Sequence, residues 1–156
     1  MSMPAEGQPI PHLTGPSTHG PFDSAQLVGK PFVLYFYPRD NTPGCTTEAQ
    51  DFRDLHVQFE ALGCTIFGVS RDAQKSHERF AEKQSLPFAL ISDPEETLCT
   101  LFGVMKNKNM YGKQVRGIER STFLIDGAGI LQREWRAVRV PGHAAEVLQA
   151  VQALGT

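Results

Sequence analysis

Three short apolar segments in the first part of the chain predict buried β-strands. Residues 31–37 form a near-continuous apolar and aromatic run, and residues 64–69 and 86–92 form two more. A run without polar alternation is typical of a strand that is covered on both faces, as central parallel strands are. The pattern therefore favours a sheet whose central strands run parallel to one another.

The segments between these runs carry apolar side chains at helical spacing. Beginning at Cys45, steps of three and four mark one face of a helix, at Ala49, Phe52, Leu55, Phe59 and Leu62. Gly63 follows as the expected C-terminal stop. A second helix is predicted from residues 70–72 to about Gln84.

The last third of the chain predicts two further helices and an antiparallel hairpin. Residues 93–96, Asp-Pro-Glu-Glu, are a strong helix start, and Gly103 ends that helix. Residues 120–125 and 130–137 read as two strands joined by a turn at 126–129. A final helix is indicated by an apolar stripe of Val147, Leu148, Val151 and Leu154.

Two segments show neither the apolar runs of buried strands nor the helical spacing of apolar residues. Residues 1–20, rich in proline and glycine, predict an irregular lead-in with a short edge strand at 10–13. Residues 106–117 are polar and basic and contain glycine, which predicts a mobile loop. The order of elements predicts an α/β fold in one domain over residues 1–156, with a central mixed β-sheet flanked by helices on both faces.

Composition narrows the classes of function. The chain has 156 residues, of which 40% are hydrophobic and 21% charged, as in an ordinary globular domain. Its net charge of −2 offers no electrostatic basis for binding nucleic acid or an anionic membrane. No long apolar span or signal peptide is evident, and three cysteines do not form a secreted disulfide framework. We therefore expect a cytoplasmic protein.

Histidine and cysteine spacing does not predict a metal centre. The five histidines are scattered, and neither Cys-x-x-Cys nor His-x-x-x-His occurs. We expect no metal and no cofactor. His56 and His77 lie on predicted helices among polar neighbours and are interpreted as surface residues. Trp135, on a predicted strand, is interpreted as a core or interface residue.

The strongest candidate for chemistry is the loop between the first apolar run and the first helix. Residues 37–47 read Tyr-Pro-Arg-Asp-Asn-Thr-Pro-Gly-Cys-Thr-Thr. Cys45 lies at the helix entrance, where free N–H groups and the positive end of the helix dipole favour a thiolate. The thiolate is the nucleophilic form of cysteine. For this residue taken alone, a packed and inert cysteine is the alternative.

Two stretches of the sequence resemble a known family. The pattern Pro38-x-x-x-Thr42-x-x-Cys45 resembles the active-site motif of peroxiredoxins, and residues 37–48 are most similar to the peroxiredoxin Q group, also called bacterioferritin comigratory protein. Residues 117–126, Gly-Ile-Glu-Arg-Ser-Thr-Phe-Leu-Ile-Asp, resemble the strand on which the family carries an essential arginine, here Arg120. The likeness covers nearly the whole chain.

The resemblance implies a thioredoxin-like fold and a thiol-dependent peroxidase acting on hydrogen peroxide and organic hydroperoxides. Cys45 would be the peroxidatic cysteine, which peroxide oxidises to a sulfenic acid. The residue types suit this chemistry. The Thr42 hydroxyl can bridge sulfur and peroxide, and Arg120 can stabilise the thiolate and the oxygen charge that develops. Pro38 can rigidify the loop.

The sequence departs from the family pattern at the positions of the second cysteine, which would return Cys45 to its reduced state. Relatives carry a resolving cysteine five residues after the peroxidatic one or in the next helix, where this chain has Gln50 and Ala81. Cys64 follows the far end of the Cys45 helix and is expected in the core. Cys99 remains an alternative resolving thiol, although it lies on an apolar stripe.

We therefore expect a one-cysteine cycle in which an external thiol, such as thioredoxin, glutaredoxin or glutathione, reduces the sulfenic acid. Two alternatives stay open: a two-cysteine peroxidase resolved by Cys99, and a redox sensor or chaperone-like module without significant turnover. No long apolar patch predicts an interface, so a monomer is expected.

Overall fold

A computed structural model describes residues 3–154. In chain order its strands are β1 (Thr14–Gly15), β2 (Phe22–Asp23), β3 (Phe32–Phe36), β4 (Thr65–Ser70), β5 (Ala89–Ser92), β6 (Met105–Met110), β7 (Lys113–Ile118), β8 (Ser121–Ile125) and β9 (Leu131–Trp135). Its helices are α1 (Pro43–Ala61), α2 (Gln74–Gln84), α3 (Thr97–Leu101) and α4 (His143–Leu154). A 3₁₀ turn at Ser24–Leu27 begins with a cap from Asp23.

The centre of the fold is a five-stranded sheet in the order β5-β4-β3-β8-β9. Strands β3, β4 and β5 are parallel, whereas β8 and β9 are antiparallel to their neighbours. The predicted α/β fold with a central mixed sheet is therefore confirmed. Among residues 3–154, no helix is long and apolar enough to cross a membrane.

Strand β3 is buried along its whole length and divides the core into two layers. Its alternate side chains Val33 and Tyr35 pack with residues of α1, α2 and α4 on one face. Phe32, Leu34 and Phe36 pack on the other face with α3 and the N-terminal segment. Side chains alternate between the faces of a strand, so an unbroken apolar run supplies both layers.

The register of the sheet brings three chain segments to one edge. Phe36, the last residue of β3, pairs with Val69 near the end of β4 and with Ser121 at the start of β8. The loop that follows β3 leads into α1 and Cys45, and Arg120 directly precedes β8. The antiparallel direction of β8 therefore places residues 75 positions apart beside each other.

The prediction of a mobile loop over residues 106–117 is wrong. Strands β6 and β7 pair antiparallel over this stretch and form a hairpin of their own. Tyr111 and Gly112 at its tip both have positive φ, of 53° and 78°, the geometry of a tight two-residue hairpin turn. A main-chain ladder forms without apolar side chains, so hydrophobic patterning does not reveal it.

Two predicted boundaries also need correction. Helix α3 begins at Thr97 instead of at residues 93–96, because Glu96 takes a left-handed φ of 62°. The Asp93 carboxylate still caps this helix, accepting hydrogen bonds from the amides of Leu98 and Cys99 at 3.1 and 2.8 Å. The strand predicted at 10–13 lies instead at Thr14–Gly15, where it pairs with β2.

Candidate active site

Cys45 lies in the first turn of α1 and is 2% exposed. Thr42 precedes the helix in an extended conformation, and Pro43 occupies its first position, where a missing N–H costs nothing. The first-turn amides of a helix have no intrahelical partner, so they favour a negative charge on a nearby sulfur. The structure thus places a buried thiol at the helix entrance, as the sequence predicts.

The Arg120 guanidinium connects this thiol to a buried carboxylate. Its Nη2 donates to Cys45 Sγ at 3.4 Å, and its Nη1 donates to Glu48 Oε1 at 2.6 Å. The arginine side chain is 16% exposed. A Cβ on Gly44 would lie 3.2 Å from Arg120 Nη2, so glycine leaves room for the guanidinium against the helix. Cys45 and Arg120 are therefore brought together as predicted.

Glu48 also belongs to the site, although its role was not predicted from the sequence. It is 1% exposed, and its Oε2 has no hydrogen-bond partner within residues 3–154. Burial raises the pKa of the Glu48 carboxyl to about 7, although the Arg120 guanidinium opposes the shift. Its position three residues after Cys45, on the same face of one helix, is the sequence signal that could have identified it.

Two tyrosines form the apolar wall behind the thiol. Tyr35 and Tyr37 stack with ring centroids 5.5 Å apart, and Phe52 stacks on Tyr35 at 4.7 Å. Burial, with the nearby Glu48 and Cys45 charges, raises the pKa of Tyr35 well above its usual value. Its hydroxyl therefore stays protonated, and among the described residues it has no hydrogen-bond partner.

Thr42 and Pro38 frame the loop before the helix. The Thr42 hydroxyl donates to the Arg39 carbonyl at 2.9 Å and makes no capping bond to the first-turn amides. The hydroxyl proton is used in this bond, and the hydroxyl oxygen can still accept a hydrogen bond from another group. Pro38 is half-buried and directly follows Tyr37, whose amide donates to the Val69 carbonyl.

The other two cysteines are unpaired and buried. Cys64 is 3% exposed, and burial raises the pKa of its thiol to about 12. Cys99 is fully buried, and burial together with the neighbouring Asp93 carboxylate raises the pKa of its thiol. Both stay protonated at neutral pH and are poor nucleophiles. The prediction that Cys64 belongs to the core is confirmed.

The interpretation of His77 as a surface residue is wrong, because its side chain is fully buried. Its imidazole lies against the Asp40 carboxylate at 2.8 Å, so the polar face of α2 covers a buried acid instead of meeting solvent. His56 is half-buried. Trp135 packs edge-on against His143 and donates to the Glu146 carboxylate, which agrees with a packing role.

One cluster has ligand atoms close enough for a metal ion. Asp40, Asp72 and His77 each offer one within 4.8 Å of the others, in a search restricted to the described part of the chain. Both Asp40 oxygens already accept hydrogen bonds from protein groups. We therefore treat this cluster as a hydrogen-bond network.

Glu48 should make the stability of the protein depend on pH. Its pKa is raised in the folded state, so its contribution is full below about pH 4.5 and is lost as the pH rises through about 7. Urea unfolding of wild type and Glu48→Gln at several pH values measures this dependence of the free energy of unfolding on pH. The stability of wild type relative to Glu48→Gln should fall by roughly 3 kcal/mol across that window.

The difference between the two proteins isolates this effect. Burial lowers the pKa of His143 to about 4, so His143 contributes stability that is lost as the pH falls from about 6.5 toward 4. That opposite trend is common to wild type and variant and cancels. A difference that is constant from pH 4.5 to 8 would contradict a buried Glu48 whose pKa is raised.

Comparison with known proteins places this site in a family. The sequence model of the AhpC/TSA family matches residues 7–134. Over 126 residues the chain is 55% identical to peroxiredoxin Bcp of Xanthomonas campestris, covering 81% of this chain and 79% of the relative. Over 147 residues it is 51% identical to peroxiredoxin Bcp of Bacillus subtilis, covering 94% of each.

A solved structure agrees with the sequence relatives. It is that of X. campestris bacterioferritin comigratory protein, described for its alkyl peroxide reduction activity, and it matches with a TM-score of 0.87 at 48% identity, covering 92% of both chains. This chain therefore shares about half of its residues with these relatives. It also has a buried thiol beside an arginine. The chain belongs to the AhpC/TSA family and, within it, to the peroxiredoxin Q group of thiol-dependent peroxidases.

Proposed function

We propose that Cys45 is the peroxidatic nucleophile of this enzyme. Its thiolate attacks one peroxide oxygen, the S–O bond forms as the O–O bond breaks, and the leaving oxygen takes a proton to become water or an alcohol. Sulfur is oxidised to sulfenic acid while the peroxide is reduced. The observation that carries this assignment is the 3.4 Å contact between Arg120 Nη2 and Cys45 Sγ.

Arg120 and Thr42 have complementary roles in this step. Arg120 stabilises the thiolate and then the charge on the leaving oxygen, since its guanidinium stays charged near neutral pH. The Thr42 hydroxyl, whose proton is directed to Arg39, accepts a hydrogen bond from the attacked peroxide and orients it. Pro38 restricts the loop that carries both Thr42 and Cys45.

We infer that hydrogen peroxide and organic hydroperoxides are both substrates. The O–O group is common to both classes, and Arg120 and the Thr42 hydroxyl can hydrogen-bond to that group whatever substituent it carries. The X. campestris relative, studied for alkyl peroxide reduction, supports the second class.

We further infer a one-cysteine cycle completed by an external thiol. The thiol condenses with the sulfenic acid, which releases water and forms a mixed disulfide with Cys45. A second external thiol then attacks the external sulfur of this disulfide, so that Cys45 leaves as a thiolate and the two external thiols are joined by a disulfide. Gln50 and Ala81 occupy the positions where resolving cysteines are expected, and Gln50 instead donates to Gln84 at 2.9 Å. Thioredoxin, glutaredoxin and glutathione are the candidate reductants, and no cofactor is needed.

A cytoplasmic, monomeric, single-domain protein is the form we propose. Three free cysteines suit a reducing compartment. The exposed large apolar side chains of the described residues are scattered, for example Val28, Val57 and Tyr111, and offer no extensive apolar interface. Size-exclusion chromatography of the reduced protein tests the monomeric state.

Peroxide consumption by the purified protein tests the proposed function. A peroxidase consumes many equivalents of peroxide per protein when a thiol is present. A redox sensor or chaperone-like module consumes only about one equivalent and then stops. Single-equivalent behaviour with dithiothreitol, glutathione and thioredoxin alike would reject the enzyme and favour the sensor.

Mass spectrometry of the protein treated with one equivalent of peroxide tests the one-cysteine cycle. We expect a mass gain of one oxygen, trapped on Cys45 by a sulfenic acid reagent, and no internal disulfide. Cys99→Ala should turn over peroxide at the wild-type rate, because Cys99 is fully buried. An intramolecular disulfide between Cys45 and Cys99 would establish the two-cysteine alternative instead.

A further inference from the structure

A buried hydrogen-bond network holds the loop that carries the thiol. Asp40, five residues before Cys45, is 5% exposed. Its Oδ1 accepts from the Tyr37 hydroxyl at 2.7 Å, and its Oδ2 accepts from the Ser76 hydroxyl at 2.8 Å and faces His77 Nδ1 at 2.8 Å. The carboxylate therefore has partners on its own loop and on helix α2.

His77 extends this network to the sheet. Its Nε2 lies 3.0 Å from the carbonyl oxygen of Ile91, the third residue of β5. A carbonyl can only accept, so Nε2 carries a proton and the imidazole is directed between strand β5 and the Asp40 carboxylate. Since His77 is fully buried, this arrangement fixes the ring and gives Asp40 a rigid partner.

The turn of this loop includes one residue with a left-handed backbone. Asn41 has a φ of 65°, in the left-handed region that most side chains avoid. The Asp40 amide donates to Asp72 Oδ2 at 2.9 Å, which ties the same turn to the segment after β4. The residues that follow directly are Thr42 and the entrance of α1.

The two halves of the catalytic cycle place opposite demands on this loop. A peroxide is small enough to reach a sulfur that is 2% exposed, provided that Thr42, Cys45 and Arg120 keep their positions. An external thiol is larger and must approach the sulfur in line with the bond that it breaks. While the first turn of α1 keeps its present position, a sulfur that is 2% exposed offers a thiol little access.

We propose that Asp40 and His77 are positioning residues that latch the peroxidatic loop to helix α2. The closed latch holds Thr42 and Cys45 in the arrangement that reduces peroxide, and its release exposes Cys45 to the external thiol. The proposal rests on Cys45 being the peroxidatic residue. Neither Asp40 nor His77 touches the reacting atoms.

Two substitutions of His77 separate the latch from simple packing. His77→Asn keeps an amide donor near the position of Nδ1, toward Asp40, whereas His77→Gln keeps one near the position of Nε2, toward Ile91. Both lose imidazole volume. His56→Gln, at a half-buried histidine on α1, is the control. The unfolding midpoint of each variant is measured first, and all rates are taken where it is folded.

The latch predicts a split between two rates. In His77→Gln the rate constant for hydrogen peroxide should fall about 10- to 100-fold, since small misplacement of reacting groups has effects of this size. The reaction of its oxidised form with glutathione should be at least as fast as in wild type. His77→Asn and the control should stay within about threefold of wild type for peroxide.

Hydrogen exchange provides a readout that does not depend on activity. Amides of residues 40–46 should exchange faster in His77→Gln, with the central sheet unchanged. Equal loop exchange in His77→Gln and the control would overturn the proposal. A fall of both the peroxide rate and the glutathione rate in His77→Gln would also overturn it, as would an equal loss of the peroxide rate in His77→Asn and His77→Gln. Wild-type protein that fails to reduce peroxide rejects the proposed function, while the exchange result still tests the latch.

Discussion

We expect replacement of Cys45 by serine to abolish peroxide reduction, lowering the second-order rate constant by about 10⁴-fold or more. A serine hydroxyl is almost entirely protonated at neutral pH, and Arg120, whose Nη2 donates to Cys45 Sγ, is a cation that cannot act as a general base. The two remaining thiols cannot substitute, since burial keeps Cys64 and Cys99 protonated. Stopped-flow measurement with hydrogen peroxide gives the rate constant.

Cys64→Ala is the matched control for this result. It removes a buried thiol from the same chain while leaving the loop and Arg120 in place. Its peroxide rate should equal that of wild type once the folded fraction is accounted for. Substantial peroxide reduction by Cys45→Ser, or its loss in Cys64→Ala at full folding, would contradict the assignment of the nucleophile.

We expect substitution of Arg120 by methionine to lower the peroxide rate constant by about 10²- to 10³-fold. It removes a preorganised donor from the sulfur and from the oxygen on which charge develops, and one such donor is typically worth this factor. Methionine has comparable length and no charge, so packing of the chain beside α1 is largely kept. Pre-steady-state oxidation of Cys45 by hydrogen peroxide is the appropriate measurement.

Arg120→Met also removes the partner of Glu48, which needs its own control. A buried carboxylate without its cation destabilises the fold by about 3 kcal/mol unless it takes up a proton. The double variant Arg120→Met with Glu48→Gln removes both charges and should recover stability. It should not recover the peroxide rate, and recovery of both would mean that Arg120 acts only by balancing Glu48.

Most elements of the fold could be predicted from the sequence. The apolar run at residues 31–37 and the helical stripe after Cys45 report burial directly, and β3 and α1 lie where these patterns indicate. The hairpin β6–β7 could not be predicted in the same way. Most side chains of its strands are polar or basic, and it is held by main-chain hydrogen bonds that leave no hydrophobic pattern.

The candidate site was only partly predictable. Cys45, Thr42 and Pro38 lie within one short motif, whose local geometry follows from the loop and the helix entrance. Arg120 was indicated by family resemblance, and its contact with Cys45 depends on the register that pairs Phe36 with Ser121. Glu48 lies within residues 37–48, the stretch that resembles the family, yet its burial and its raised pKa depend on packing that local sequence does not describe.

By itself, the sequence determined the order of helices and strands, a thiol at a helix entrance and the absence of a resolving cysteine at two expected positions. These depend on local periodicity and on residue identity. Only the tertiary structure decided that Arg120 and Glu48 meet at that thiol and that His77 is buried against Asp40. Such contacts are made by strands and helices far apart in the chain, so the register and layering of the sheet determine them.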